Sequence, residues 1–103
     1  MAKGSGSSPP RDSKEWASLK AFSELIETTI RDLNAASMPA QLAGAVDARI
    51  GAWNEADPEF AAVLAQIKGQ AWSMDAMHLR AVRERIVAHL TTNLSDVKGR
   101  LGV

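Results

Sequence analysis

Cysteine is absent from the 103-residue chain. Disulfide bonds and thiolate zinc sites are therefore excluded. Without cysteines, the sequence does not indicate whether the protein works in an oxidising or a reducing compartment. Tyrosine is absent too, and Phe22 and Phe60 are the only phenylalanines. Because alanine is abundant while β-branched and aromatic runs are few, the composition favours helices over strands.

Long hydrophobic runs are also missing. No segment approaches the roughly 20 apolar residues that span a bilayer. The N-terminal run of Gly, Ser and Pro lacks the apolar stretch of a secretory signal peptide. We therefore expect a cytoplasmic protein with no membrane partner. The length gives room for one domain with a thin core.

Strand-like alternation with period two is absent as well, and four segments instead repeat apolar residues every three or four positions. With short connections, this pattern predicts an all-α fold, a small antiparallel bundle of three to four helices. The apolar stripes are Trp16, Leu19, Phe22, Ile26, Ile30 and Leu33; then Leu42, Val46, Ile50 and Trp53; then Phe60, Val63, Leu64, Ile67 and Ala71; and finally Leu79, Val82, Ile86, Leu90, Leu94 and Val97.

Capping residues and turn formers suggest the boundaries of these segments. Residues 1–12 are expected to form a disordered tail, residues 13–98 the helical bundle domain, and residues 99–103 a frayed C-terminus. The third and fourth helices are either separate or one bent helix through Trp72, because Gly69 and Ser73 weaken a helix without forbidding it. The expected N-caps are Ser13, or Asp12 in a capping box with Glu15, then Ser37, Asp57 and Ser73.

Small residues occupy the sides of the second and third helices that face away from their apolar stripes. A glycine inside a helix costs about 0.8–1 kcal/mol relative to alanine. Such a face therefore indicates either a close approach of another backbone or a weak surface helix. The residues are Ala40, Gly44, Ala48 and Gly51 in the second helix, and Ala62, Ala65 and Gly69 in the third.

Residues for catalysis, cofactor binding or metal binding are not evident. His78 and His89 are the only histidines, and their separation along a helix, about 16 Å, is too long for them to share a metal. There is no glycine-rich phosphate loop, no cysteine nucleophile and no serine in a nucleophile-elbow context. We expect a protein that is not an enzyme and holds no cofactor.

Charge is balanced overall but unevenly spread. The segment from Asp12 to Glu59 contains nine acidic and four basic residues, whereas the segment from Phe60 onward contains six basic and three acidic residues. Arg80, Arg83 and Arg85 make a nucleic-acid-binding accessory protein the alternative hypothesis. Ideal helix geometry directs Arg80 and Arg85 to different sides, and the net charge of zero also argues against strong DNA affinity.

Arg83 is unusual because it falls in or beside the apolar stripe of the fourth helix. Either its guanidinium extends to water past the apolar surface, or it pairs with an acid from the first helix or from another subunit.

A charge-poor middle segment is the strongest indication of function. Between Phe60 and Met77 only Lys68 and Asp75 are charged. Tryptophan is a preferred interface anchor, and methionine adapts to irregular surfaces. We therefore expect an interaction or assembly module that forms a homo-oligomer or binds another protein. The candidate partner-binding residues are Trp53, Trp72, Met74 and Met77.

Overall fold

The computed structural model describes residues 13–102 and contains four α-helices, with no strand in this range. The prediction of an all-α bundle is confirmed, with four helices. The tail predicted for residues 1–12 lies outside the described residues. The helices are α1 (Lys14–Ala35), α2 (Pro39–Ala56), α3 (Pro58–Gln70) and α4 (Ala76–Leu101), and a 3₁₀ turn (Ala71–Ser73) follows α3.

Helix α1 is central because it packs against both α4 and α2, whereas α3 packs mainly against α2. Short connections, residues 36–38 and Asp57, turn α2 back along α1 and α3 back along α2. Arg49 and Asp32 form an ion pair at 2.9 Å between α2 and α1. Lys98 and Glu27 form one at 3.4 Å between α4 and α1. The result is an α2–α3 hairpin that packs against α1 through α2, while α4 packs along α1.

Four aromatic rings, one from each helix, form a continuous series that reaches from the core to the exposed His89. The fully buried Trp53 has its ring centroid 5.6 Å from that of Phe22 and 4.6 Å from that of Phe60. The ring of Phe60 in turn stacks on His89 at 5.7 Å. Because aromatic rings bury large apolar areas, Trp53 joins all four helices, directly or through one intervening ring.

The indole N–H of Trp53 is satisfied inside the core. It donates to Oγ1 of Thr29 at 2.9 Å, and the Thr29 hydroxyl donates to the carbonyl oxygen of Leu25 at 2.7 Å. Ser23 is buried on the same helix and donates to the carbonyl oxygen of Lys20. Two polar side chains therefore occupy core positions, where a buried donor without a partner would be destabilising.

The buried face of α1 is rotated relative to the predicted stripe. It is centred on Ser23, Ile26, Thr29 and Leu33. The outer residues of the predicted stripe, such as Trp16 and Leu19, are only half-buried. The rotation follows from the position of α1 between α4 and α2, because small hydroxyl residues allow close packing on both sides.

Helix starts agree with the sequence at two of the four helices. Ser13 accepts a hydrogen bond from the backbone N–H of Trp16 at 3.1 Å, and Asp57 accepts one from that of Phe60 at 3.2 Å. The predicted cap of α2 is wrong. Met38 occupies that position, while the backbone N–H of Ser37 donates to the side chain of Gln41.

The start predicted for α4 at Ser73 is also wrong, because the chain is broken between Gln70 and Ala76. The 3₁₀ turn ends at Ser73, and Met74 has an extended backbone. The Asp75 carboxylate then caps α4 by accepting the backbone N–H of His78 at 2.7 Å. Helices α3 and α4 are therefore separate, which decides the alternative that the sequence left open.

The C-terminus departs from the frayed end predicted for residues 99–103. Helix α4 continues to Leu101, whose side chain is buried in the core. Gly102 then caps the helix with φ of 81°, in the left-handed region that glycine adopts without strain. Apolar burial of Leu101 keeps the last turn helical despite Gly99.

The small-residue faces of α2 and α3 lie on the surface of the chain. A Cβ atom added at Gly44, Gly51 or Gly69 would meet no packed neighbour within 4 Å. No backbone of this chain approaches these glycines, so within a single copy they belong to weak surface helices. Val63, predicted for the core, is 45% exposed, and Ala61 is buried in its place.

Gly44→Ala and Gly51→Ala should each stabilise the protein by about 0.5–1 kcal/mol, because alanine restricts the unfolded chain and fits the helix. Urea denaturation followed by circular dichroism measures the change. Gly102→Ala is the contrasting variant and should destabilise by about 1 kcal/mol, because its φ is positive. A loss of stability in Gly44→Ala would contradict the open space at that position.

Thr29→Val should destabilise the fold by about 1–3 kcal/mol, because it leaves the buried indole N–H of Trp53 without an acceptor. Thr28→Val is the matched control, since Thr28 makes the same kind of bond to a backbone carbonyl, that of Glu24, at the surface. Its effect should stay within about 0.5 kcal/mol. Urea denaturation measures the free energy of unfolding of both variants. An equal decrease in the two would show that the hydrogen bond from Trp53 to Thr29 does not stabilise the fold.

Candidate interaction surface

The four predicted partner-binding residues do not form one surface. Trp72 and Met77 are 68% and 83% exposed, whereas Trp53 and Met74 are buried in the core. In this fold Trp53 and Met74 are unavailable to a partner, which corrects the sequence-based assignment for these two residues. Trp53 lies in the apolar stripe of α2, and that position, rather than its residue type, decides its role.

The exposure of Trp72 follows from the short 3₁₀ turn. The turn packs against α2 and α3. Ala71 and Met74 face the core on either side of Trp72 and Ser73, which are exposed. The large indole is therefore held outward by two buried neighbours.

Met38 joins Trp72 and Met77 at one end of the bundle. Arg83, about two turns into α4, donates from Nη1 to the carbonyl oxygen of Ala36 at 2.7 Å, which places the first half of α4 beside the α1–α2 connection. Met38 follows in that connection and is 59% exposed. Because Met38, Trp72 and Met77 all lie where α2 and α4 begin and α3 ends, we call these three residues the apolar end.

Met38 is not among the partner-binding residues predicted from the sequence, although its position in the sequence indicates that it is exposed. It immediately precedes Pro39, and a residue before proline favours extended backbone outside a helix. A methionine at such a position has no helical stripe to join, so exposure was foreseeable.

Charged residues of the middle segment are engaged within the chain. Lys68 forms an ion pair with Asp47 between α3 and α2. The Asp75 carboxylate caps α4. The exposed side of α3 also carries uncharged residues such as Ala62 and Gln66. The apolar end therefore adjoins a charge-poor surface along α3.

The three arginines of the nucleic-acid hypothesis have different environments. The half-buried Arg83 binds a backbone carbonyl, which is neither of the two alternatives that the sequence left open, extension to water or pairing with an acid, and its Nε is buried without a partner. Arg80 pairs with Glu84 at 3.1 Å, and Arg85 is exposed. Two of the three guanidinium groups thus have partners inside the chain, which leaves less free positive charge for phosphates than the sequence suggested.

A groove of about 690 Å³ lies between α1 and the end of α2. Arg49 faces Asp32 and Trp53 faces Thr29, so α2 ends close to Leu25 and leaves the first half of α1 uncovered. The groove could not be predicted from the sequence, because it results from the offset of α2 along α1. The lining residues are Ser18, Leu19, Ala21, Phe22, Leu25, Ala52, Glu55 and Ala56.

Glu55 is the charged residue of this groove. Its carboxylate has no hydrogen-bond or ion-pair partner among residues 13–102. The walls on the α1 side are apolar apart from Ser18, and the Phe22 ring also touches buried Trp53. The groove therefore combines apolar walls with a free acceptor, which suits an apolar group bearing a hydrogen-bond donor.

Neither histidine contributes to a metal site. His78 and His89 are both exposed, and His89 stacks on Phe60. In the part of the chain that the structure describes, no three His, Cys, Asp or Glu side chains are arranged to hold a metal ion. None of the described helices combines the length and apolarity needed to cross a membrane.

No protein family model matches this chain, and no characterised protein or solved structure is similar to it. The case for a function therefore depends on the geometry of its surfaces.

Arg83→Met should destabilise the fold by about 1 kcal/mol, because it keeps the apolar stem but removes the donor to Ala36 at the end of α1. Arg85→Met is the control and should change stability by less than about 0.5 kcal/mol. Thermal or urea unfolding of the two variants makes the comparison. If both left stability unchanged, the Arg83 bond would contribute nothing to the junction of α1 and α4.

Proposed function

We propose that this chain is a non-enzymatic assembly module that associates with other copies of itself through the apolar end. The observation that carries the proposal is the exposure of Trp72 and Met77 beside a charge-poor surface. Trp is the residue most often found as an interface anchor, and large exposed apolar groups on small soluble domains commonly mark binding sites. The cytoplasmic location expected from the sequence belongs to the same proposal.

The energetic gain from covering Trp72 is substantial. A tryptophan buries roughly 150–250 Å², and each Å² of apolar surface removed from water contributes about 25 cal/mol. With two thirds of its side chain exposed, Trp72 offers about 3 kcal/mol before the costs of association. Buried Ala71 and Met74 already fix its backbone, so little ordering entropy opposes binding.

Electrostatics support another copy of the chain as the partner. The net charge is zero, so long-range repulsion between copies is weak. Lys68 and Asp75 are engaged with groups of their own chain. A charge-poor end offers nothing that would steer a strongly charged partner.

The dimensions of the molecule indicate how strong such a contact is. The bundle measures 53 × 22 × 20 Å, so its ends are narrow. A contact at one end is expected to bury less than the roughly 1,200–2,000 Å² of a standard stable interface. The association should therefore be reversible and concentration-dependent.

Light scattering on the full chain, from low micromolar to millimolar concentration, tests the proposal. The average mass should rise above that of one chain as the concentration increases. The double variant Trp72→Ala/Met77→Ala should remain monomeric, because it removes two anchors of the contact without touching the core. Val63→Ala, which removes an exposed apolar side chain outside the apolar end, should associate like the unaltered chain.

Circular dichroism confirms that each variant is folded before its mass is interpreted. A strictly monomeric chain at millimolar concentration would refute the proposal. Undiminished association of the double variant would show that the contact lies elsewhere on the surface.

A further inference from the structure

Two complementary surfaces lie at opposite ends of α2. Met38 of the apolar end immediately precedes the helix, while Ala52, Glu55 and Ala56 of the groove lie at its end. A helix of 18 residues is about 27 Å long. One copy therefore carries a protruding apolar group and a recess that are separated along the long axis of the bundle.

Size and chemistry match between these surfaces. The groove volume, about 690 Å³, falls within the range of roughly 300–1,000 Å³ that accommodates drug-sized groups. An indole ring with a neighbouring thioether fits within this volume with space left over. Leu19, Phe22 and Leu25 supply apolar walls for the ring. Phe22 adds an aromatic partner, and aromatic pairs gain stabilisation beyond the area they bury.

The groove also contains a hydrogen-bond acceptor for the indole N–H. A buried indole N–H needs an acceptor, as the bond from Trp53 to Thr29 shows within this core. Glu55 supplies a carboxylate with no other partner among the described residues. A carboxylate is a strong acceptor, because a hydrogen bond to a charged group is stronger than one between neutral groups.

We propose that the apolar end of one copy docks into the groove between α1 and α2 of a second copy. Trp72 inserts between the two helices, and its indole N–H donates to the Glu55 carboxylate. This inference rests on the proposed function and specifies the surface that receives the apolar end. It also explains the shape of the groove, because the incoming residues cover the part of α1 that α2 leaves open.

The geometry has a consequence for assembly. A contact between two different surfaces leaves one free apolar end and one free groove in every pair. Further copies can therefore add at either side, so association does not stop at a dimer. A symmetric contact between two apolar ends would stop there, and it would leave the apolar walls of both grooves in water.

Complementation between two defective variants tests the head-to-tail contact. Trp72→Ala/Met77→Ala keeps an intact groove but lacks the anchors. Ala52→Arg keeps the anchors, while its long side chain covers the groove and reaches Glu55 three residues later. Each variant alone should be monomeric. An equimolar mixture should form one-to-one dimers and nothing larger, because only one productive pairing is left.

Sedimentation equilibrium on the two variants and their mixture provides the masses. Ala88→Arg is the matched control, since it places the same side chain on an exposed part of α4 outside both surfaces, and it should associate like the unaltered chain. Glu55→Gln should weaken association roughly fivefold by removing the charge from the acceptor. Ala56→Arg serves as a second groove variant if Ala52→Arg does not fold.

The outcomes separate the two proposals. If the unaltered chain is monomeric at every concentration, the proposed function fails. If it associates but the mixture stays monomeric, or the groove variants associate as the unaltered chain does, the head-to-tail contact is overturned while self-association stands. Growth of the mixture beyond dimers would also contradict the head-to-tail contact.

Discussion

Burial of Trp53 is the constraint on which the rest of this fold depends. Its ring lies between Phe22 and Phe60, and Phe60 reaches His89, so one side chain connects the packing of all four helices. Burying an indole requires an acceptor for its N–H, and α1 supplies one through Thr29 in the middle of its buried face. This requirement explains why a hydroxyl residue occupies a core position that apolar periodicity would assign to a hydrophobic side chain.

The surfaces of the bundle follow from where its helices stop. Helices α1 and α4 contain 22 and 26 residues, whereas α2 and α3 contain 18 and 13. Because Arg49 of α2 faces Asp32 near the end of α1, α2 is offset toward that end, and a groove opens along the first half of α1. At the other end, the 3₁₀ turn changes direction too tightly for every side chain to face inward, so Trp72 stays outside. The offset of α2 along α1 and one tight turn thus create both a recess and a protrusion.

Arg83 illustrates how an isolated charge in an apolar stripe can be structural. Its stem lies along the helix surface, and its guanidinium satisfies the carbonyl of Ala36 just past the end of α1. Carbonyl groups at a helix end lack partners in their own helix, so a basic side chain from a neighbouring helix can supply the missing donor. The same contact holds the first half of α4 against the α1–α2 connection, which contains Met38.

The sequence by itself determined the helical class, the approximate positions of α1, α2 and α3 and the caps at Ser13 and Asp57, because these depend on interactions between residues close in the chain. It also identified Trp72 and Met77 as candidates from their charge-poor surroundings. Only the tertiary structure separated them from Trp53 and Met74, and only it revealed the groove and the carbonyl bound by Arg83. Burial, pairing and recesses depend on which helix faces lie against each other, and residue spacing along one helix carries no information about its neighbours.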